Sequence, residues 1–442
     1  MRILLLLLAT TTLSACGGSD GTGVASAGSS GGTTATTPTA NDPYAQFVTP
    51  TVLKSYVGVG GDQRFTYSTD SRGAVVGQQG QTYAGDLVSA RDSKISITYD
   101  PTAATFLLTV KDPVTGAATD VKFQDPASRI DFTAKAPQNE PQWGTPNLND
   151  ATIKYYQAGD GDPLSPYLFS GSGYLNAGTN ATPPSTGAGG SAAYQSTSFF
   201  YQKPGSTTQY VTIAGYLRNS ASFSPFTTSS GSIFDNIDWK LERGAFAFGV
   251  PTLNSAVPVT GTATYNGLML GSMVYNTLPA FGGGNPTYFQ WISGTSSTVV
   301  DFKNSNVDVT LTGIVSAPQV DTYTVATPTA ANPNPQPIVA IAAGSTFSAT
   351  TVGFAPAKID LTNTGGFAGN FGSATFTDPN TKAVTAVSII NTAGITGGFY
   401  GPGGATNKVE IGGGFRIVGG VPNQRVDILG AFTGCVNFPT CK

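Results

Sequence analysis

The chain has 442 residues, with 22 basic and 25 acidic side chains, a formal net charge of −3 and no histidine. Without histidine, the commonest general base, the Ser-His and Cys-His nucleophile pairs and the commonest metal ligand are all excluded. Charged residues are only 11% of the chain, which leaves no basic field for nucleic acid, and 56 glycines among Thr, Ser and aromatic residues point to an all-β chain.

Met1 and Arg2, the apolar run 3–9 and Leu13-Ser14-Ala15-Cys16 form an export signal too short to span a bilayer. Ending the signal on Cys resembles the bacterial lipobox, in which residues 1–15 are removed and Cys16 is acylated, with palmitate-like chains, as the first residue of the mature protein. A plain secretory signal with an incidental Cys is the alternative. Each buried CH₂ of an acyl chain contributes about 0.8 kcal/mol, so two or three chains anchor the protein stably. Gly17 and Gly18 lack the Asp that resembles an inner-membrane retention signal, so the outer membrane is the expected location, with the cell surface favoured over the periplasmic face. Residues 16–42, rich in Gly, Ser and Thr, read as a flexible tether, which as a coil would span roughly 25–30 Å.

Further along, residues 94–99 and 105–110 around Asp100-Pro101 read as a hairpin, and residues 198–201 and 210–217 around Lys203-Pro204-Gly205 as a second. Residues 177–191 form a polar, breaker-rich stretch, either a binding loop or disordered. Asp235, Asp238 and Glu242 are the cluster from which a carboxylate-pair glycosidase would draw its acid and base; solvated turn carboxylates are the plainer reading, and no enzyme is expected. Asp160-Gly-Asp162 is too short for a calcium loop, and no metal or cofactor is expected.

From residue 244 an aromatic flanked by glycines recurs, in Gly244-Ala-Phe246-Ala-Phe248-Gly249, Gly365-Gly-Phe367-Ala-Gly369, Gly397-Gly-Phe399-Tyr-Gly401, Gly413-Gly-Phe415 and Gly430-Ala-Phe432-Thr-Gly434. In a closed barrel, glycine permits sharp strand bends, and an inward aromatic on a neighbouring strand fills the space of the missing side chain. The clearest alternating runs are five to eight residues long, short of the nine to eleven or so that a membrane-spanning strand needs, so a soluble barrel is expected.

Phe399-Tyr400-Gly401-Pro402, followed by Glu410, Gly412, Gly413 and Phe415, resembles the Phe-Tyr-Gly-Pro…Glu-x-Gly-Gly-x-Phe segment of the barrel in transferrin-binding protein B-like surface lipoproteins, with the turn extended over 403–408. The resemblance implies a β-rich handle domain over 43–243, then an eight-stranded antiparallel β-barrel over 244–442. It also implies a ligand- or solute-binding module serving iron or nutrient acquisition with an outer-membrane transporter. The motif itself reads as structural: Gly401 and Pro402 turn the chain, Gly412 and Gly413 allow close strand approach, and Phe399 and Phe415 pack in the barrel. Glu410 reads as a carboxylate bridging barrel backbone at the turn rather than as a ligand contact. Family binding surfaces lie on variable loops, so transferrin recognition does not follow.

Candidate surfaces are therefore the loops 177–191, 276–297 and 317–345. The second carries Phe281, Tyr288, Phe289 and Trp291, an aromatic set suited to an interface and equally readable as the core of a strand. Cys435 and Cys441, in an oxidising envelope, are expected to close a disulfide that pins the last strand; their spacing is not that of a redox pair. The expected partners are the outer membrane and a protein or small-molecule ligand. A structural or adhesive envelope protein without a soluble ligand is the alternative.

Overall fold

Asp42 and Pro43 set the first element. The Asp42 carboxylate accepts from the backbone N–H of Tyr44 and Ala45 at 2.9 and 3.3 Å, and Pro43 supplies a preset φ, so α1 (Pro43–Val48) begins here. Six residues are too few for a helical period to show in the sequence, which gave no sign of it. The computed structural model describes residues 42–70, 75–76, 87–90, 94–102, 105–112, 115–124, 152–159, 193–277, 287–317, 341–352, 357–362, 365–390, 394–404, 408–421, 424–439 and 441. The export signal, Cys16, residues 177–191, Phe281 and Asp160-Gly-Asp162 lie outside them.

Ten strands follow: β1 (Lys54–Asp70), β2 (Val75–Val76), β3 (Leu87–Ala90), β4 (Ile95–Asp100), β5 (Thr105–Lys111), β6 (Ala118–Gln124), β7 (Ile153–Gly159), β8 (Ala193–Gln202), β9 (Val211–Thr227) and β10 (Ile233–Gly249). They form one sheet in the order β6-β5-β4-β1-β10-β9-β8-β7, with β2 and β3 paired to β1. Both expected hairpins are present, β4 on β5 and β8 on β9. The sheet is strongly curled. Five strand spacings of about 4.8 Å separate β5 from β8 along the hydrogen-bonding direction, yet Phe106 of β5 lies 5.7 Å from Phe199 and 4.9 Å from Tyr201 of β8. The enclosed core joins Ile95, Ile97, Leu108, Tyr216, Phe246 and Phe248, and Phe47 of α1 caps it, edge-on to Tyr56 at 5.3 Å.

The second sheet holds β11 (Thr262–Thr277), β12 (Thr287–Asp301), β13 (Asn306–Val315), β14 (Thr346–Thr350), β15 (Ala357–Asp360), β16 (Gly366–Gly369), β17 (Ser373–Thr377), β18 (Val384–Ala386), β19 (Ser388–Ile389), β20 (Gly394–Tyr400), β21 (Glu410–Gly420) and β22 (Gln424–Gly434). The order β12-β11-β22-β21-β20-β16-β15-β13 closes on itself because β12 also pairs with β13, an antiparallel eight-stranded barrel. Along β13, Val307, Val309, Leu311 and Val315 are buried while Thr312 and Ile314 face out. This inward apolar face is the reverse of a lipid-facing barrel. No described helix is long and apolar enough to cross a membrane.

The strands themselves differ from the sequence reading in two ways. The longest, β1, β9 and β10, run 17 residues, because ladder pairing carries them through polar stretches such as Arg218-Asn-Ser-Ala-Ser. Strand length therefore does not argue against a spanning barrel; the inward apolar face is the observation that bears on it. The change of texture at residue 244 falls inside β10, which stays in the first sheet to Gly249, so the barrel starts at Thr262 and the 244–249 aromatics pack the first core. The described residues form one compact unit.

The glycine-aromatic repeat has one physical cause in both sheets. Directly paired across strands are Phe367 with Gly397, Phe415 with Gly430, Tyr216 with Gly244 and Phe200 with Gly215. In each pair the ring lies where a Cβ would be, 2.1–2.3 Å from its ideal position.

Candidate functional site

The Phe-Tyr-Gly-Pro segment sits where the two sheets meet. Strand β20 sends Phe399 into the barrel, 5.9 Å from Phe302 and 5.8 Å from Phe367, and the next residue, Tyr400, out of it onto Val211 and Ala247 of the first sheet. Gly401 has φ +104°, and a Cβ there would lie 2.6 Å from the Tyr210 ring. Its N–H donates to the Val250 carbonyl at 3.0 Å, and half-buried Pro402 continues the turn.

Glu410 opens β21 one residue before inward-facing Ile411, so its side chain leaves the barrel. Its two oxygens accept from the backbone N–H of Gln209 and Tyr210, both at 2.7 Å. It thus bridges the β8–β9 turn of the first sheet, not barrel backbone as the sequence suggested. Burial pushes its carboxyl up to about 7, against the pull of these N–H bonds. Gly412 lies under Val211 and Ala247, where a Cβ would come within 2.5 and 3.0 Å, and a Cβ on Gly414 would lie 2.3 Å from Gly60 Cα. Gly413 instead faces Thr396 within the barrel, and Phe415 points inward near Phe371. The motif therefore builds the barrel with one face and docks the first sheet with the other.

A buried polar hub reinforces this junction. Arg243, 1% exposed, donates to Gln63 Oε1 at 2.7 Å, to the Ser272 carbonyl and Oγ at 2.8 and 2.9 Å, and to the Asp427 carbonyl at 2.9 Å. Gln63 in turn donates to the Asp427 carboxylate, which also accepts from Arg425 at 2.8 Å. Sequence reasoning missed this hub. Its one signal is a charged residue at the edge of an apolar run, Arg243 before Gly-Ala-Phe and Asp427 between Val426 and Ile428.

The described part of the aromatic set of 276–297 lies on strand, not loop. Tyr288, Phe289 and Trp291 lie on β12; Phe289 and Trp291 are buried, 5.3 Å apart, and Trp291 meets Phe200 of the first sheet edge-on at 5.4 Å. The two rings share the barrel's outer face, two residues apart, and the first sheet covers it. Nor do Asp238 and Glu242 of β10 make a catalytic pair. Glu242 is buried and accepts from Tyr216 Oη at 2.8 Å and from Arg218, while Asp238 is exposed about 13 Å along the strand. Cys435 and Cys441 are disulfide-bonded just after β22.

A cleft opens at the α1 end of the first sheet, with a volume of about 120 Å³. Buried Phe106 and Phe248 line it together with Tyr56, Tyr99, Tyr201, Lys54 and Lys203. The lining is fixed before any ligand arrives. Tyr99 is paired with Phe106 across β4 and β5, with ring centroids 4.5 Å apart. Gln46, buried in α1, accepts from the N–H of Thr51 at 2.7 Å and holds the segment leading into β1. Val48 seats over Gly205, whose φ is +80° and which has no room for a Cβ, locking α1 to the β8–β9 turn. Burial pushes the Tyr56 hydroxyl up to about 12, so it is a neutral donor at physiological pH. Lys54 Nζ lies 5.8 Å from the Tyr56 ring centroid. Among the described residues, the lining carries no carboxylate, and no group of acidic or sulfur ligands is placed to hold a metal ion.

No protein-family model and no curated protein matches the chain. Solved structures similar to it include a double mutant of transferrin-binding protein B from Haemophilus parasuis Hp5, at 12% identity over 87% of this chain and 76% of that one, TM-score 0.25. Another is isotype 1 transferrin-binding protein B from serogroup B Neisseria meningitidis, at 13% identity over 87% and 77%, TM-score 0.21. A third is HpuA from Kingella denitrificans, solved in complex with human haemoglobin, at 13% identity over 84% and 87%, TM-score 0.23. At this distance they lend no residue and no ligand to the chain.

Proposed function

We propose that the chain is a lipoprotein of the bacterial outer membrane, anchored through Cys16 and exposed at the surface, that binds a ligand without transforming it. The observation that supports the reading is the cleft: a preformed, ring-lined hollow with a few polar groups, the usual build of a binding site. In this reading the junction makes a stiff platform, the ligand is a protein or a small molecule, and the setting is iron or nutrient acquisition with an outer-membrane transporter. The alternative, a structural or adhesive envelope protein, draws on the fact that the motif residues and the Arg243 hub all serve the scaffold.

Protease shaving of intact source cells, with the chain and a periplasmic control detected by antibody, tests the reading. Loss of the chain while the control survives is expected, as is loss of radiolabelled palmitate in Cys16→Ser. Protection of the chain, or undiminished label in the variant, would overturn it.

A further inference from the structure

We propose that the α1 cleft binds a ring-bearing organic anion of the aryl-carboxylate class. The inference deepens the ligand-binding reading and rests on it only for the cellular setting.

Size comes first. About 120 Å³ is somewhat less than the roughly 150 Å³ of an engineered cavity that holds benzene. The enclosed part therefore takes a single ring and leaves its substituent at the mouth. The lining selects a flat apolar body. The Phe106 ring lies 4.5 Å from Tyr99 and 4.9 Å from Tyr201, a cluster that offers ring faces and edges. An alkyl chain would use the apolar area but not the quadrupoles of these rings.

Charge then fixes the substituent. Two of the lining residues, Lys54 and Lys203, are cationic, and no lining residue is acidic. In a chain whose net charge is −3, this is a local field of opposite sign. Exposed Lys203 sits in the β8–β9 turn and half-buried Lys54 at the start of β1, and both line the cleft. A carboxylate on the ring would meet these ammonium groups, whereas an amine would be repelled. Tyr56, a neutral donor, adds a hydroxyl to the lining.

The probes are benzoate, neutral benzamide, cationic benzamidine and the non-aromatic cyclohexanecarboxylate. They are titrated against the full-length lipoprotein in lipid nanodiscs, labelled with 3-fluorotyrosine and read by fluorine NMR, with Tyr→Phe variants at 56, 99 and 201 assigning the signals. Saturable benzoate shifts at those tyrosines are expected, with benzamide and cyclohexanecarboxylate each weaker by about fivefold and benzamidine not bound. In Lys54→Gln/Lys203→Gln, one half-buried and one exposed change outside the core, benzoate should weaken to the level of benzamide. No saturable shift at these tyrosines, equal affinity for benzoate and benzamide, or unchanged benzoate affinity in the double variant would overturn the proposal. Protease shaving reads the surface location independently, so either can fail while the other stands.

Discussion

Arg243→Met is expected to loosen the two sheets from one another. Methionine keeps most of the buried volume, so the cavity cost is small. What goes are four hydrogen bonds of 2.7–2.9 Å that tie β10 to Gln63, Ser272 and Asp427. The guanidinium no longer has to be desolvated, which offsets much of their gross strength. The Asp427 carboxylate remains 0% exposed, keeping Arg425 and Gln63 as partners, and the Ser272 and Asp427 carbonyls lose the Arg243 donor. Removing one partner from such a buried charged network costs about 3–5 kcal/mol. Trp291 reports the loss directly, because its ring lies 5.4 Å from Phe200 across the junction. With the two other tryptophans changed to Phe (Trp143→Phe and Trp239→Phe), urea unfolding followed by Trp291 fluorescence should give an unfolding free energy lower by that amount, seen as a lower midpoint. Adding Asp427→Asn should recover part of the loss by removing the uncompensated charge. A change under about 1 kcal/mol, or strict additivity of the two substitutions, would refute a coupled buried hub at this junction.

Glu410 makes stability pH-dependent in a predictable direction. Its native pKa of about 7 stands above the ordinary 4.5, so between these values the native state binds the extra proton and stability falls as pH rises. The contribution is complete below the unfolded pKa and lost through pH 7, in total about 3 kcal/mol; Asp62, pushed up to about 6 mainly by burial, adds a slope in the same direction at lower pH. Urea-derived unfolding free energies of Glu410→Gln should lose the pH 5–7.5 part of the slope and be lower by about 1–3 kcal/mol at pH 5, because the amide turns a donor toward one backbone N–H; an unchanged slope would sink the assignment. Gly430→Ala places a methyl 2.3 Å from the Phe415 ring, so a thermal melt should show a loss of about 1–3 kcal/mol. A neutral result would mean that Phe415 does not cover Gly430.

The motif was legible as structural because glycine and aromatic types at fixed spacing leave few other uses. Its second task was not. Tyr400, Glu410, Gly412 and Gly414 face out of the barrel only because β20 and β21 alternate, and what they meet lies far earlier in the chain, from Ala247 back to Gly60. The aromatics of β12 show the same limit. Their spacing fits an interface, and they do form one, but with the first sheet of the same chain rather than with a partner. The cleft left no mark at all in the sequence, since its rings come from α1, β1, β4, β5, β8 and β10 and meet through the curl of the sheet.

The sequence by itself determined the all-β class, the hairpins at 94–110 and 198–217, and a glycine-aromatic barrel, because alternation, turn residues and missing side chains are local properties. Only the tertiary structure decided which strand closes the first sheet and which opens the barrel, where Arg243 and Asp427 are satisfied, and which aromatics are buried. Those outcomes depend on what packs against each outward face, and that neighbour is distant in the chain.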